Sequence, residues 1–497
     1  MTRPPRSLFA RRAGSEKPRR KWTLRSLLCR VLPLYLLYFV LGATLPFLSP
    51  PTVSDSFRAA WDPAVFEQVG STDRAALVTD NQDALDVRLR MIGEAEERII
   101  LSSFDIRDCD SGRDIFAALL LAADRGVQIQ ILWDGVSGLL RGGSPIFRAL
   151  GRLPNVEIRF YNAPNLLLPW TVNGRMHDKY LLIDDRLLLL GGRNTFDLFL
   201  GDYVPDALKS HDQDVLVYNT AAGTEQSGAH TVLTQVEAYF QSVWESPYSR
   251  TALDRPPLFP GKIDRAEAEL RTRYAALAAA APTLFDPIPL DYAALTLPVE
   301  HVELLSNPTG IMRKEPWVWW QLMALMGRAE ERVFLQTPYA VLNEPMYQAL
   351  EDLAARGVPF DLQLNSVAVG DNIMASSDYV HNKQRLLETG VTVWEWFGDY
   401  SSHGKSALID DMAVVGSYNL DMRSTYLDTE LMLVFHGGDF SRALEEYLLS
   451  TQDHALQALP QGGYVPKEGV EVLPVIGAKA WLFPITSVVF QLIRYLL

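Results

Sequence analysis

An internal repeat is the feature that most constrains how this chain can fold. A segment of Ala-Glu-Glu-Arg followed by three apolar residues occurs at 95–101 and again, about 230 residues later, at 329–335. Each copy continues into a helical pattern that ends in Arg-Gly-Val, at 125–127 and 356–358, where the glycine suits a helix C-terminus. Two further strand-like segments follow in each copy. This order predicts an α/β fold of two pseudo-twofold-related halves, each a mixed, mainly parallel sheet flanked by helices.

Both copies of the repeat end in the same pattern of polar residues. The pattern is His-x-Lys, four residues, Asp, an apolar strand, a glycine turn and Asn; its members are His177, Lys179, Asp184 and Asn194 in the first copy and His403, Lys405, Asp410 and Asn419 in the second, with Ser417 in the second glycine turn. Because alternate residues of a strand share a face, the histidine and lysine of each copy point the same way. Such a pair suits a phosphate, since the lysine neutralises its oxygens while the imidazole attacks phosphorus or moves a proton. We predict the His, Lys and Asp of each copy as catalytic, and Asn194, Ser417 and Asn419 as phosphate-binding.

Acidic residues downstream of each motif are candidates to orient its histidine. Asp214 and Glu430 stand at places that match in the sequence, in Asp-Gln-Asp-Val and Asp-Thr-Glu-Leu. Each is predicted to accept a hydrogen bond from the far nitrogen of its histidine, which favours the imidazolium. A third His-x-Lys, at 381–383, lacks the aspartate and lies in a helical pattern, so we interpret it as structural. Two complete copies at matched points of a repeat indicate one shared active site.

These residues resemble the phospholipase D superfamily, and within it most closely the bacterial cardiolipin synthases. The resemblance covers about residues 70–460 and rests on 176–179, 190–194 and 416–425. It implies that the two motifs meet across a pseudo-twofold axis. It also implies ping-pong catalysis without a metal ion or other cofactor.

The same resemblance assigns different roles to the two histidines. It implies that His177 is the nucleophile and forms a phosphohistidine. His403 would protonate the departing alkoxide and then deprotonate the acceptor hydroxyl. Asp184 and Asp410 are more structural than chemical in such proteins. The first motif ends in Gly-Gly-Arg-Asn where the second has Gly-Ser-Tyr-Asn, so equal roles for the two halves do not follow.

The N-terminal region predicts a membrane anchor. Residues 1–30 carry ten Lys and Arg side chains against one acid, Glu16, and an apolar run follows at 31–48. Eighteen residues at about 1.5 Å each reach roughly 27 Å, enough to cross a hydrocarbon core. The basic flank predicts a cytoplasmic N-terminus and a single pass, with the bulk of the chain on the outer face of the cell membrane. A cleaved signal peptide, with small residues at 42–44, and a segment lying at the interface are the alternatives.

The remaining boundaries follow from composition. The two phospholipase D-like halves are predicted at 60–260 and 301–460, with a connection rich in alanine and proline at 261–300. A second apolar segment, 472–497, contains two prolines and predicts an interfacial, membrane-associated element. A terminal helix docked on the body of the protein is the alternative for this segment.

Charge and cysteine content exclude other classes of function. The net charge of −14 argues against a broad contact with nucleic acid, which needs a positive face. The two cysteines, Cys29 and Cys109, build neither a disulfide framework nor a zinc site. The predicted partners are therefore the membrane and its phospholipids rather than nucleic acid.

The reaction predicted first is transfer of a phosphatidyl group onto phosphatidylglycerol to make cardiolipin. The donor is phosphatidylglycerol or phosphatidylethanolamine, between which the sequence does not choose. Attack of water on the same intermediate, a phospholipase D-type hydrolysis, is the alternative; a nuclease and a catalytically dead membrane scaffold are disfavoured. Apolar segments at 165–170 and 317–320 are predicted either to dip into the membrane interface or to pack in the body. The oligomeric state stays open.

Overall fold

The computed structural model describes residues 24–253 and 260–497. Residues 1–23, most of the predicted basic segment, lie outside the described residues. In the described chain up to residue 298 the helices are α1 (Leu24–Thr44), α2 (Asp55–Ala60), α3 (Asn81–Glu94), α4 (Asp110–Asp124), α5 (Gly135–Arg141), α6 (Pro145–Gly151), α7 (Val232–Trp244), α8 (Pro260–Ala280) and α9 (Tyr292–Leu295). The strands there are β1 (Asp73–Val78), β2 (Arg98–Ser103), β3 (Gln128–Asp134), β4 (Val156–Tyr161), β5 (Tyr180–Ile183), β6 (Leu187–Gly191), β7 (Ser210–His211), β8 (Asp214–Asn219), β9 (Ser249–Thr251) and β10 (Leu297–Pro298).

The remainder of the chain repeats this order of elements. Its helices are α10 (Trp317–Met326), α11 (Glu344–Ala354), α12 (Ile373–Leu387), α13 (Met422–Tyr426), α14 (Gly438–Gln452) and α15 (Gly477–Val489). Its strands are β11 (His301–Ser306), β12 (Val333–Gln336), β13 (Ala340–Val341), β14 (Phe360–Asn365), β15 (Thr392–Trp396), β16 (Ser401–Ser402), β17 (Ser406–Ile409), β18 (Met412–Gly416), β19 (Leu420–Asp421), β20 (Leu431–His436) and β21 (Ala455–Gln457).

Two large mixed sheets with matching strand orders confirm the predicted architecture of two α/β halves. The first runs β10-β1-β8-β6-β5-β2-β3-β4-β9 and the second β11-β20-β18-β17-β12-β14-β15-β21. The expectation of mainly parallel sheets needs correction, because within these two sheets parallel pairing is confined to β2–β3–β4 and β12–β14–β15. The cause lies in the motif itself. Only three residues, 184–186, join β5 to β6, and a connection that short can return a strand only antiparallel.

The aspartate of each motif closes this hairpin rather than the active site. Asp184 has a left-handed backbone, φ +53°, and its carboxylate accepts three backbone N–H bonds, from residues 96, 97 and 98, at 2.7–3.0 Å. Asp410, φ +52°, does the same for residues 330, 331 and 332 at 2.8–2.9 Å. Each aspartate ties the turn to the start of the neighbouring central strand. Their inclusion among the catalytic residues is therefore corrected, because they lie at the end of the strand opposite the histidine.

A shared apolar core holds the two halves together. Buried side chains of both sheets pack in one cluster, among them Leu190 and Val215 from the first and Val415 and Leu433 from the second. Helices α7 and α14 complete this layer with apolar faces. The halves are thereby fixed relative to one another, so the ends of the strands that carry the two motifs stay together.

The segment predicted as a connection, 261–300, is built into the first half. Ile263, Ala266 and Leu270 of α8 are buried in the core of that half, and β10 pairs with β1 at its edge. The chain crosses to the second half only after β10.

The N-terminal apolar segment is a long, exposed helix. In the described part of the chain, one helix is long and apolar enough to cross a membrane, within the window Arg30–Phe47, of which 11% is buried. At its C-terminal end Phe47 is buried in the core of the second half.

The C-terminal apolar segment docks on the body, as its alternative interpretation predicted. The Thr486 and Ser377 hydroxyls lie 2.6 Å apart, and Gln491 and Arg494 both bind the carboxylate of Asp378, on α12. The opposite face of α15 is exposed, with Trp481 82% accessible. Membrane association of 472–497 stays a prediction that rests on this outer face.

Candidate active site

Each motif histidine is held by main chain from the other half. The His177 N–H donates to the carbonyl of Thr429 (3.3 Å), and the His403 N–H donates to that of His211 (2.7 Å). Short parallel pairings support both contacts, a bridge from Met176 to Thr429 and the β7–β16 ladder. Each motif histidine therefore takes its backbone partner from the other half.

The side chains repeat this exchange. The Nδ1 atom of His177 lies 2.9 Å from Oε1 of Glu430, and Nδ1 of His403 lies 2.6 Å from Oδ2 of Asp212. A protonated Nδ1 that donates to the carboxylate leaves Nε2 of each ring to face a substrate. Glu430 thus contacts the histidine of the opposite half, and Asp212 takes the place predicted for Asp214.

The error at Asp214 comes from strand register. Gly191 pairs with Asp214 across β6–β8, whereas the equivalent Gly416 pairs with Met432 across β18–β20. Glu430 lies two residues before Met432, and the residue two before Asp214 is Asp212. Asp212 is therefore the structural equivalent of Glu430. Asp214 instead binds two buried arginines, Arg88 at 2.9 Å and Arg193 at 3.3 Å.

The motif lysines are buried beside the histidines. Lys179 is 3% exposed and Lys405 is 1% exposed. Nζ of Lys405 lies 3.2 Å from Oδ2 of Asp212, while Nζ of Lys179 donates to the carbonyl of His177 at 2.5 Å. Burial lowers the pKa of Lys179 to about 7, and the charge of Lys405 adds to the shift. An anionic phosphate between the two ammonium groups would reverse that shift.

The two motifs share one electrostatic environment. Burial and Lys179 lower the pKa of His177 well below its ordinary value, and both Lys405 and His403 contribute from the other half. Burial and Lys405 also lower the pKa of His403, with Asp212 acting in the opposite direction. The structure therefore brings His177, Lys179, His403 and Lys405 into one site.

The two carboxylates that contact the histidines, Asp212 and Glu430, differ in how readily they lose their negative charge. Burial would raise the pKa of Asp212, but Lys405 and the hydrogen bond from His403 hold it well below its ordinary value. Burial instead raises the pKa of Glu430 to about 8. Asp212 is consequently the firmly ionised partner.

Ser417 binds the carboxylate of Glu430 and is not positioned as a phosphate ligand. Its buried hydroxyl donates to Oε2 of Glu430 at 2.5 Å, and Ser424 donates to Oε1 at 2.6 Å. The prediction that Ser417 binds phosphate is corrected accordingly. Gly192 occupies the equivalent position in the first half, where a Cβ would collide with the carboxylate of Asp212.

The two asparagines lie beside the motifs, and their phosphate contacts stay a prediction. Oδ1 of Asn194 accepts the backbone N–H of Asp105 at 3.3 Å, which orients its amide. Asn419 is 3% exposed, and its Oδ1 has no hydrogen-bond partner among the described residues.

Several neighbours of the histidines were not predicted from the sequence. The rings of Phe104 and Phe199 lie edge-on to His177 and His403, with centroids 5.2 and 5.0 Å away. Lys314 is 4% exposed, and burial lowers its pKa to about 8. Burial likewise raises the pKa of Asp178, which accepts a bond from Tyr239, to about 7. No repeat or motif in the sequence marks Lys314, whereas Asp178 was visible as the middle residue of its motif.

The third His-x-Lys lies on α12, in agreement with its structural interpretation. Lys383 forms an ion pair with the buried Glu395. Within residues 24–253 and 260–497, no group of three or more His, Cys, Asp or Glu side chains is arranged to hold a metal ion. Independence from metal stays a prediction.

Comparison with known proteins identifies the family. The family model described as "Cardiolipin synthase, PLD-like domain" matches residues 89–244 and 322–451, more than half of the chain, with one match in each half. The chain is 26% identical to cardiolipin synthase C of Escherichia coli K12 over 412 residues, which are 74% of this chain and 83% of that protein. It is 25% identical to cardiolipin synthase B of Escherichia coli O6:H1 over 391 residues, 76% and 79% of the two chains.

A solved structure supports the fold independently. Phosphatidylserine synthase of Haemophilus influenzae Rd KW20 superposes with a TM-score of 0.59 at 14% identity, over 86% of this chain and 96% of that one. At this identity the likeness concerns the fold alone. Together, the paired matches, the crossed histidine–carboxylate pairs and the shared fold show that the chain belongs to the cardiolipin synthase family of phospholipase D-like domains.

Proposed function

We propose that this protein is a membrane-anchored phosphatidyltransferase that makes cardiolipin by transphosphatidylation. The observation that carries the proposal is the pair of crossed histidine–carboxylate contacts flanking two buried lysines, in a chain of this family. Such a site supplies a nucleophile, a proton carrier and a cationic cradle, which are the parts that phosphodiester exchange needs. The names of the relatives in Escherichia coli support phospholipids as substrates.

In the first step, Nε2 of His177 attacks the phosphorus of a phosphatidyl donor such as phosphatidylglycerol. The P–N bond forms as the P–O bond to the headgroup breaks. His403, as the imidazolium, transfers its proton to the departing glycerol oxygen. Lys179 and Lys405, together with the amides of Asn194 and Asn419, stabilise the charge on the non-bridging oxygens.

In the second step, His403 has become neutral and accepts the proton of an acceptor hydroxyl. That oxygen attacks the phosphohistidine, the P–N bond breaks and His177 is regenerated. With phosphatidylglycerol as acceptor the products of the cycle are cardiolipin and free glycerol. With water as acceptor the product is phosphatidic acid.

The contrast between the carboxylates supports this division of labour. Asp212 is held ionised by Lys405, and an ionised partner stabilises the imidazolium that an acid needs. Burial and Lys179 lower the pKa of His177 well below its ordinary value, which keeps a free lone pair for attack.

A cavity lined by Asp371, whose charge acts on His403, and by Ser401, two residues before it, suits a second lipid. It has a volume of about 580 Å³ and is lined by both halves and by the C-terminal apolar segment, through residues that include Ser210, Asp371, Ser401 and Leu473. Polar and apolar groups meet there, as they do in a lipid with a glycerol headgroup. We propose it as the route of the acceptor.

We also propose that α1 anchors the protein, with the N-terminus in the cytoplasm and the catalytic body on the outer face. The exposed apolar surface of α1 and the basic residues before it support this orientation. A reporter fused after Pro51 should be active only outside the cytoplasm; activity only inside would overturn the orientation.

Lipid products test the proposed reaction. Purified protein in vesicles that contain phosphatidylglycerol should accumulate cardiolipin and glycerol in equal amounts, and the His177→Ala variant should accumulate neither. Phosphatidic acid without cardiolipin would assign the hydrolase instead. The same assay in a chelator tests the prediction of metal-free catalysis, which a clear loss of activity would contradict.

A further inference from the structure

An exposed leucine loop projects beside the N-terminal helix. Leu166 and Leu167 are 64% and 73% accessible, an unusual exposure for neighbouring leucines in a well-folded body. The other predicted interfacial segment behaves differently. In 317–320, Trp317 stacks on Phe57 and Trp320 packs edge-on to Trp61, so that segment is ordinary packing.

The carbonyls of Leu166, Leu167 and Leu168 all have hydrogen-bond partners within the protein. The hydroxyl of Tyr35 donates to the carbonyl of Leu166 and that of Tyr38 to the carbonyl of Leu167, both at 2.8 Å. The carbonyl of Leu168 accepts the Thr171 N–H and hydroxyl. In water an exposed carbonyl needs no such partner, whereas in hydrocarbon each one left unpaired strongly opposes insertion.

We infer that the loop at 165–168 inserts into the hydrocarbon of the membrane leaflet nearest the catalytic body. The inference rests on the proposal that α1 lies in the bilayer, because the loop is bonded along the same helix. The leucine side chains face outwards. Tyrosine hydroxyls of the anchor donate hydrogen bonds to the carbonyls that would otherwise oppose insertion. The exposed leucines and the hydrogen-bonded carbonyls together fit contact with a lipid bilayer.

Helix geometry sets the depth of insertion. Ala43 is buried in the body, and its carbonyl accepts a bond from the amide of Asn173 at 2.7 Å, at the base of the loop. Eight residues separate Ala43 from Tyr35, or about 12 Å of helix. One leaflet of a hydrocarbon core is about 15 Å thick. The loop therefore reaches most of the way through one leaflet and does not cross the bilayer.

The base of the loop is rigidly joined to the active site. A guanidinium nitrogen of Arg175 donates to the carbonyls of Thr171 and Asn173 at 2.8 and 3.0 Å, and its backbone N–H donates to Asp428. Two residues later comes His177. Insertion of the loop therefore fixes the position of the proposed nucleophile relative to the membrane.

Depth-dependent quenching tests the inference. Three variants each carry one cysteine in a background with Cys29→Ser and Cys109→Ser. The cysteine replaces Leu167, Leu37 on α1 or Ile288, and it is labelled with an environment-sensitive fluorophore. Ile288 is 72% exposed, and its carbonyl is held by Arg90 at the end of the first sheet opposite His177. In vesicles of phosphatidylglycerol with brominated acyl chains, we expect several-fold more quenching at positions 167 and 37 than at 288.

The outcomes separate the inference from the proposals on which it rests. Quenching at 37 but not at 167 would overturn the loop insertion and leave the anchor intact. No quenching at either position would overturn both. Cardiolipin production is measured on unlabelled protein, so a failure of the proposed reaction is seen independently.

A second variant tests the tyrosine contacts. The double change Tyr35→Phe and Tyr38→Phe keeps the apolar surface of α1 but removes both hydroxyl donors. We expect quenching at 167 to fall at least twofold while quenching at 37 is unchanged. Equal quenching at 167 before and after the change would overturn the role of the tyrosines in insertion.

Discussion

The two halves of this protein place equivalent histidines against carboxylates that behave differently. In the first half of the sequence, Asp212 stands against Lys405 and serves His403. In the second half, Glu430 is bound by two serine hydroxyls and serves His177. Lys405 makes a direct ion pair with Asp212, whereas the charge of Lys179 and the two hydroxyls only partly offset the burial that raises the pKa of Glu430, so a symmetric backbone carries an asymmetric charge distribution.

This asymmetry can be traced to the glycine turns. Gly192 leaves room for the shorter Asp212 to lie against the turn, while Ser417 in the other half donates to Glu430. Two serine hydroxyls and one methylene distinguish Glu430 and its surroundings from Asp212. In the proposed mechanism the two copies of the motif take different roles because different residues surround their histidines, while the histidines themselves are the same.

The largest effects are expected from the histidines. We expect His177→Ala to lower cardiolipin synthesis by at least about 10⁴-fold with every donor, because no other group can form the intermediate. His403→Ala should lower it by about 10²–10⁴-fold with phosphatidylglycerol, the range of a general acid. A p-nitrophenyl phosphodiester needs no acid, so the first turnover of His403→Ala should approach that of the unaltered enzyme. Equal loss in both variants with this substrate would contradict the division of roles.

The carboxylates should differ in the next largest effect. Asp212→Asn removes the anion from both His403 and Lys405, and we expect kcat to fall by about 10³-fold or more. Glu430→Gln removes a charge that burial already disfavours, and a smaller loss of about 10–100-fold is expected. Steady-state kinetics on matched vesicles, with circular dichroism as the folding control, measure the difference. A larger loss in Glu430→Gln would reverse the comparison.

Phosphate binding should weaken as pH rises. Burial lowers the pKa of Lys179 to about 7 in the free site, and a bound anion raises it again, so binding takes up a proton. The affinity for diethyl phosphate, whose own charge does not change, should fall up to about tenfold per pH unit above pH 7. Inhibition constants between pH 6 and 9 measure this. Lys179→Arg keeps its charge throughout, and an unchanged pH dependence in that variant would sink the assignment.

The motif aspartates should have the smallest and most symmetric effects. Asp184→Gly and Asp410→Gly keep the left-handed backbone and each remove a carboxylate that accepts three backbone N–H groups. We expect each to destabilise the fold by about 1–3 kcal/mol, the range of a lost cap, with kcat at 25 °C nearly unchanged. Thermal melts of both variants measure the loss. A fall in kcat without a change in melting temperature would show that these aspartates take part in catalysis.

The sequence predicted the parts of the fold that repeat. Both halves, the two histidine–lysine pairs and the long apolar helix follow from local patterns with fixed spacing. Parallel pairing was overestimated, because strand alternation with helices does not reveal that the motif itself forms an antiparallel hairpin.

The site contacts were less predictable because they depend on register and on the other half. Asp214 and Glu430 stand at matching places in similar sequence segments. Only the register of Gly191 and Gly416 with their partner strands shows that Asp212 is the structural equivalent of Glu430. The exchange of partners between halves leaves no local signal. Lys314 lies in a loop outside both motifs, and only tertiary packing brings its charge close enough to act on Asp178 and Glu430.

The most direct test of the account is to locate the covalent intermediate. The His403→Ala variant, supplied with a p-nitrophenyl phosphodiester that carries a phosphatidyl group, should accumulate the phosphohistidine because the acceptor is no longer deprotonated. Rapid quenching at high pH and mass spectrometry of peptides should place the phosphatidyl group on the peptide that contains His177. A phosphatidyl group on any other residue, or its absence while nitrophenol is released, would contradict the account.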